Sequence, residues 1–145
     1  LDQRYESLAA LKGFFKELEA NKMECMSFIR DAVKEGARVG VLGASTKGNV
    51  ILQYYVLDHT LITLASERSP EKWGRYTVGT GIPIVSEEKA RQAGVDLFLV
   101  LPYAFKNEII RRENGWLMEN PNHKFLIPLP QFEVIGQEAF TNQLR

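Results

Sequence analysis

The segment Gly43-Ala44-Ser45-Thr46-Lys47-Gly48-Asn49 holds the residues of this chain whose types and spacing point most directly to chemistry. It follows the apolar run Val39-Gly40-Val41-Leu42 and precedes the amphipathic Val50-Ile51-Leu52-Gln53-Tyr54-Tyr55, the pattern of a buried parallel strand feeding a helix through a tight turn. The first turn of a helix has free backbone N–H groups and a partial positive charge, so such a turn favours an anion. Ser45 and Thr46 add hydroxyls and Lys47 adds a full charge. The expectation is a phosphate or carboxylate cradle formed by Ser45, Thr46, Lys47, Gly48 and Asn49 at the carboxyl end of a first strand. The plainer alternative is a turn whose glycines serve only close packing of strand and helix.

Two phosphate motifs are near misses. Gly43 and Gly48 have the glycine spacing of a Walker A loop, but Asn49 and Val50 stand where that loop needs Lys and Ser or Thr, which excludes nucleoside triphosphate hydrolysis. Gly40, Gly43 and Gly48 do not have the spacing of the dinucleotide fingerprint. A second group of chemistry-bearing residues lies in the long segment from Ser66 to Gly81, which lacks helical periodicity and carries Glu67, Arg68, Lys72, Trp73, Arg75, Tyr76, Thr77, Gly79 and Thr80. Long connections without regular structure are commonly functional. This one leaves its strand at the same edge as the Gly43–Asn49 turn. Arg68, Lys72 and Arg75 are therefore expected to join Lys47 around one anion, with Trp73 or Tyr76 stacking on a base or sugar. Glu67 falls where dinucleotide-binding folds keep a ribose-binding acid. The alternative is a surface loop of solvated charges around one buried Trp.

The elements that must position these residues alternate strand and helix. Strands are expected at Arg38–Leu42, Leu61–Ala65, Ile82–Val85, Val95–Leu101, Lys124–Ile127 and Phe132–Ile135. Helices are expected at Lys47–Leu57, from Ser86 to Gln92, and at Lys106–Met118. This order predicts an α/β, Rossmann-like, doubly wound and mainly parallel sheet of five or six strands, with the first strand central. Ahead of it, residues 2–35 read as one long helix with an apolar stripe at Leu8, Leu11, Phe15, Leu18, Cys25, Ile29 and Ala32, capped by Gly36. A break near Gly13 or Asn21 into two helices is the alternative. At ~1.5 Å per residue such a helix is roughly 50 Å long, more than one small sheet can cover. Residues 1–36 are thus expected to form a linking and packing helix whose first half covers another copy or a further domain, and residues 37–145 one globular unit.

Composition narrows the class. The 145 residues suffice for one domain, and 18 basic residues balance 18 acidic ones, which argues against a nucleic-acid partner. No run of 18 apolar residues and no signal-peptide pattern is present, so no membrane partner is expected. Cys25 is the single cysteine, which excludes an internal disulfide and suits a reducing cytoplasm. His59 and His123 are the two histidines, expected at a helix end and in a polar turn, and with one Cys they give no metal or triad pattern. The chain starts at Leu1 and is read as a piece of something larger.

Taken together, these elements resemble a known family, the C-terminal domain of SAM-dependent sugar-nucleotide C-methyltransferases. The resemblance is carried by Gly43-Ala44-Ser45-Thr46-Lys47-Gly48-Asn49, Gly74-Arg75-Tyr76-Thr77-Val78-Gly79-Thr80, Ile82-Pro83-Ile84-Val85-Ser86-Glu87-Glu88, Leu97-Phe98-Leu99-Val100-Leu101-Pro102 and Ile127-Pro128-Leu129-Pro130, in family order over about Arg38 to Ile135. It implies a domain that helps to close a site for a nucleoside-diphosphate sugar. It also implies that the SAM-binding domain, the zinc-binding domain and the catalytic residues lie upstream in a longer protein. No catalytic residue, metal ligand or cofactor is then expected in this chain, SAM being used by the missing N-terminal methyltransferase domain. The chain departs from the family pattern at Gly81 and at Tyr103-Ala104-Phe105, where many members carry a His. Two other readings stay open: a stand-alone module for a nucleotide or phosphosugar, and a structural or dimerisation domain with a decayed site.

Overall fold

The computed structural model describes residues 3–138. The N-terminal stretch forms one helix, α1 (Gln3–Lys34), unbroken at Gly13 and Asn21. It ends in a Schellman-type cap, with the Gly36 N–H donating to the Val33 carbonyl at 3.0 Å and the Ala37 N–H to Ala32 at 2.9 Å. There follow β1 (Val39–Leu42), α2 (Thr46–Tyr54), β2 (Ile62–Glu67), β3 (Ile84–Ser86), α3 (Glu87–Gln92), β4 (Leu97–Val100), α4 (Lys106–Arg112), α5 (Asn114–Glu119), β5 (Lys124–Ile127) and β6 (Glu133–Ile135).

The six strands form one sheet in the order β3-β2-β1-β4-β5-β6. All neighbours pair in parallel except β5 and β6, which form an antiparallel hairpin. This is the doubly wound arrangement read from the alternation, with β1 inside the sheet. The chain builds outward from β1 to β3, then crosses to β4 on the other side, so the strand order reverses between β1 and β4.

Helices cover both faces. Cys25 and Ile29 of α1 and Leu52 of α2 pack on one face with Val39, Val41 and Leu99. Ala90 of α3, Ile109 and Ile110 of α4, and Trp116 and Leu117 of α5 pack on the other with Leu42, Phe98 and Phe125. β1, β4 and the last three residues of β5 are fully buried, which is why they read as continuous apolar runs rather than as alternating strands.

Several boundaries differ from the sequence reading. β1 begins at Val39 rather than Arg38, because the Arg38 N–H goes to Asp96 Oδ2 at 2.8 Å and its guanidinium to the Ala93 carbonyl at 2.7 Å. The helix expected over Lys106–Met118 is two helices, α4 and α5, broken at Glu113. Two causes act together. Glu113 turns its carboxylate inward to Arg91, and the break directs Trp116 and Leu117 under the sheet, where Trp116 meets Phe98 edge-on at 4.7 Å. Burying side chains of that size is worth about 1.5–3 kcal/mol each. His59 caps no helix; its N–H donates to the Thr80 carbonyl at 2.9 Å. His123 is buried, stacked on Trp116 at 4.2 Å, with Nδ1 2.7 Å from the Trp116 carbonyl.

Only the second half of α1 belongs to this body. Asn21 bonds the Pro130 carbonyl and the Phe132 N–H on one flank, and Glu19 accepts from the Tyr54 hydroxyl on the other. Every residue from Gln3 to Glu17 is exposed, Leu8, Leu11, Phe14 and Phe15 included.

Candidate functional site

The turn after β1 is built by backbone bonds to β2 and by two close approaches to β4. The N–H groups of Gly43 and Ala44 donate to the Ser66 carbonyl at 3.1 and 3.2 Å. Gly43 has φ +85°, and a Cβ there would stand 2.7 Å from Pro102. A Cβ on Gly48 would stand 2.6 Å from Leu101 Cδ1. Both glycines are therefore fixed by packing against the end of β4. Ser45 caps α2, its Oγ accepting the Gly48 N–H at 3.1 Å while its carbonyl accepts the Asn49 N–H at 2.9 Å. That uses two of the N–H groups assigned to the cradle and leaves those of Thr46 and Lys47, the first two residues of the helix, as the open donors. Thr46 and Lys47 are exposed, and Lys47 has no ion pair among the described residues. Asn49 Oδ1 is buried with no hydrogen-bond partner among the described residues.

The connection between β2 and β3 contains one 3-10 turn, Pro70–Lys72. Its residues divide into two groups. Thr77 and Thr80 are 4% and 5% exposed, their hydroxyls 2.6 Å apart, and Thr77 Oγ1 accepts the Ile82 N–H at 2.8 Å. Gly79 abuts Gln53, whose Nε2 donates to the Val78 carbonyl at 2.9 Å. Thr77 and Thr80 thus face inward and tie the connection to itself, while at the exposed Gly79 the Gln53 bond fastens it to the far end of α2 from Ser45. Gly81 has φ +65°, and a Cβ there would lie 3.1 Å from the His59 ring, so the backbone itself calls for glycine at this position.

The cations of the same connection do not converge on Lys47. Arg68 reaches Glu87 at 3.2 Å, Lys72 approaches Glu67 at 4.0 Å, and Arg75 is exposed. Acids of β2 and α3 take Arg68 and Lys72. Tyr76 and Trp73 line a separate hollow of about 450 Å³ at the β3 edge with Lys89, and Trp73 Nε1 donates to the Glu67 carbonyl at 2.7 Å.

What the fold does assemble is a crevice of about 310 Å³ at the carboxyl ends of β1 and β4. Its floor and wall come from Leu42, Gly43, Pro102, Phe105 and Ile109; Ser45 and Ser66 add hydroxyls. Its charges are Glu67, Arg68, Glu87, Glu108 and Arg112. Open α/β sheets bind ligands at this position, outside the strand ends where the order reverses. Of the residues named from sequence, Ser45, Glu67 and Arg68 line it, whereas Thr46, Lys47, Gly48 and Asn49 are not among its lining residues. Phe105, Glu87, Glu108 and Arg112 were missed. The signal was present: a helix starting just after β4 must turn one side of its first turns toward the β1 turn, and Glu108, Ile109 and Arg112 have that helical spacing.

Among the described residues no group of three or more His, Cys, Asp or Glu is placed to hold a metal ion. Burial pushes the Cys25 thiol up to about 12, so at neutral pH it is neither thiolate nor accessible. No helix of the described residues is long and apolar enough to cross a membrane.

The fold is thus a doubly wound α/β domain with a crevice at the β1/β4 reversal. The chain belongs to the C-methyltransferase C-terminal domain family, whose sequence profile matches residues 2–130. It is 32% identical over 128 residues to the C-methyltransferase NovU of Streptomyces niveus, an alignment covering 88% of this chain and 30% of that protein. The chain therefore spans about a third of the length of the curated relative it matches. Among solved structures, the crystal structure of UDP-D-quinovosamine 4-dehydrogenase from Vibrio fischeri aligns with a TM-score of 0.48 at 13% identity, covering 72% of this chain and 97% of that one.

Proposed function

We propose that this chain is the nucleoside-diphosphate-sugar-binding part of a C-methyltransferase whose methyl-transfer chemistry resides elsewhere in a longer, cytoplasmic protein. The observation that carries this reading is the crevice itself. A diphosphate needs N–H donors and cations: Arg68 and Arg112 line the crevice together with Ser45, the N-cap of α2, and the open N–H groups of Thr46 and Lys47 follow Ser45 directly in the chain. Sugar and ribose hydroxyls need acceptors, and Glu67 and Glu108 line the same crevice. Phe105 offers an aromatic surface that is 62% exposed. A bare phosphate site would not need the acids.

The turn does not fit SAM. It lacks an acid ahead of the glycines, and the space beside Gly43 and Gly48 is filled by Pro102 and Leu101. We therefore assign no step of methyl transfer to these residues; their part is to hold and orient the sugar nucleotide.

One helix N-terminus contributes about 0.3–1 kcal/mol to a nearby anion, and hydrogen bonds to charged groups about 1.5–3 kcal/mol each. Set against an association cost of at least ~4 kcal/mol, this predicts affinity near the millimolar range for the isolated chain. Calorimetric titration with nucleoside diphosphates should show such binding, weakened severalfold in Lys47→Ala. Undiminished binding by Lys47→Ala would remove the α2 turn from the site.

A further inference from the structure

The two guanidiniums of the crevice are not free. Arg68 Nε lies 3.2 Å from Glu87 Oε1, and Arg112 Nη2 lies 3.0 Å from Glu87 Oε2. One carboxylate is thus clasped by two arginines that arrive from different elements, Arg68 from the segment after β2 and Arg112 from the last turn of α4. All three residues line the crevice. The two arginines are held differently. Arg112 also meets Glu113 at 3.4 Å, and the Glu113 side chain, 3% exposed, is gripped by Arg91 at 2.7 and 2.9 Å. Arg112 is therefore anchored from behind. Arg68 is 66% exposed and is tied at its charged end to Glu87. Glu87 itself keeps 21% exposure, so its carboxylate has a route out to water.

Resting on the sugar-nucleotide reading above, we propose that Arg68 and Arg112 form the subsite for one phosphate of the ligand, and that Glu87 is an internal stand-in which that phosphate displaces. The two oxygens of a carboxylate bridging two guanidiniums occupy the positions that two oxygens of a phosphate would take. A phosphate carries more charge and a third oxygen, so it competes well for the same donors, whereas a neutral sugar cannot. The device sets specificity: ligands without a phosphate leave the clasp shut, and those with one must open it. It also lowers apparent affinity by the fraction of time that Glu87 holds the arginines.

The test uses the 145-residue chain and inorganic pyrophosphate as probe, titrated by calorimetry. Glu87→Gln should bind pyrophosphate about fivefold or more tighter than the unaltered chain, because the competing charge is gone. Arg68→Gln and Arg112→Gln should each bind severalfold more weakly. A purely structural ion pair would give the opposite sign for Glu87→Gln or no change, and either result overturns the proposal. Should Glu87→Gln fail to fold, the exposed Arg68→Gln decides: lost affinity supports the clasp, unchanged affinity refutes it. The two readings fail separately. If nucleoside diphosphate sugars bind no better than pyrophosphate while Glu87→Gln gains affinity, the subsite stands and the sugar-nucleotide reading falls. If those sugars bind and both variants leave affinity unchanged, the clasp falls and the sugar-nucleotide reading stands.

Discussion

Replacing Gly48 by Ala separates the packing role of the β1 turn from its chemistry. In an exposed helix the change adds about 0.5–1 kcal/mol of stability, since glycine loses more backbone freedom on folding. At Gly48 the new methyl would stand 2.6 Å from Leu101 Cδ1, 3.1 Å from Leu101 Cβ and 3.0 Å from the Gly43 carbonyl oxygen. Leu101 is buried, and the Gly43 carbonyl is held by the Ser45 N–H at 2.9 Å, so neither neighbour has room to yield. Overpacking of this kind costs about 1–3 kcal/mol. The net expectation is a loss of about 1 kcal/mol, or about 2–4 °C in Tm for a domain of this size. Gly13→Ala is the internal control, because nothing lies within 4 Å of a Cβ there and the propensity gain is unopposed. Urea denaturation of both variants, and of Gly48→Ala combined with Leu101→Ala, measures the effect. The double variant should lose at least ~1 kcal/mol less than the sum of its parts, as contacting residues do. If Gly48→Ala is as stabilising as Gly13→Ala, the account of the turn as a close contact between α2 and the end of β4 is wrong.

Ser45→Ala should cost about 1 kcal/mol by uncapping α2, read by the same denaturation, while leaving nucleoside diphosphate affinity within about threefold because the freed Gly48 N–H becomes another donor; an unchanged stability would contradict the cap. Burial raises the Cys25 thiol from its ordinary 9.0 to about 12, and raises the Tyr55 hydroxyl as well. The fold keeps the protonated forms, so the Cys25 contribution is complete below pH 9 and is lost as the pH climbs from 9 toward 12, and the Tyr55 contribution is complete below pH 10 and is lost above it. Cys25→Ala should flatten part of that alkaline loss in denaturation curves taken across this range, and an identical pH dependence would contradict it. The apolar stripe Leu8, Leu11 and Phe15 is exposed on the unsupported half of α1. Sedimentation of the isolated chain should show concentration-dependent self-association that Leu11→Glu with Phe15→Glu abolishes, whereas a wild-type monomer at high concentration would show that no second copy covers the stripe.

The fold was largely legible because its strands are buried on both faces. Val39–Leu42 and Leu97–Val100 are unbroken apolar runs, and only a parallel sheet covered by helices needs those. The break at Glu113 was not legible, because the reason for it is a long-range partner, Arg91, and the pull of Trp116 into the core. The site was half legible. The β1 turn announced itself through local chemistry, whereas Thr77 and Thr80 have the same polar look but bond within their own loop. Their hydroxyls bond each other and the backbone, a use that sequence cannot tell apart from ligand binding. The opposite wall, Phe105, Glu108 and Arg112, went unread because it belongs to the unit that crosses to the other side of the sheet. Arg68 was visible singly, but its pairing with Glu87 across two elements appears only in three dimensions.

The central claim is that a nucleoside diphosphate sugar occupies the crevice between the ends of β1 and β4. Amide NMR mapping of the 145-residue chain during titration with such a sugar tests it most directly. The account predicts saturable shifts confined to Gly43, Thr46 and Lys47 on one side, and to Arg68, Phe105 and Arg112 on the other. Shifts centred instead on Trp73, Tyr76 and Lys89 at the β3 edge, or none at millimolar ligand, would contradict it.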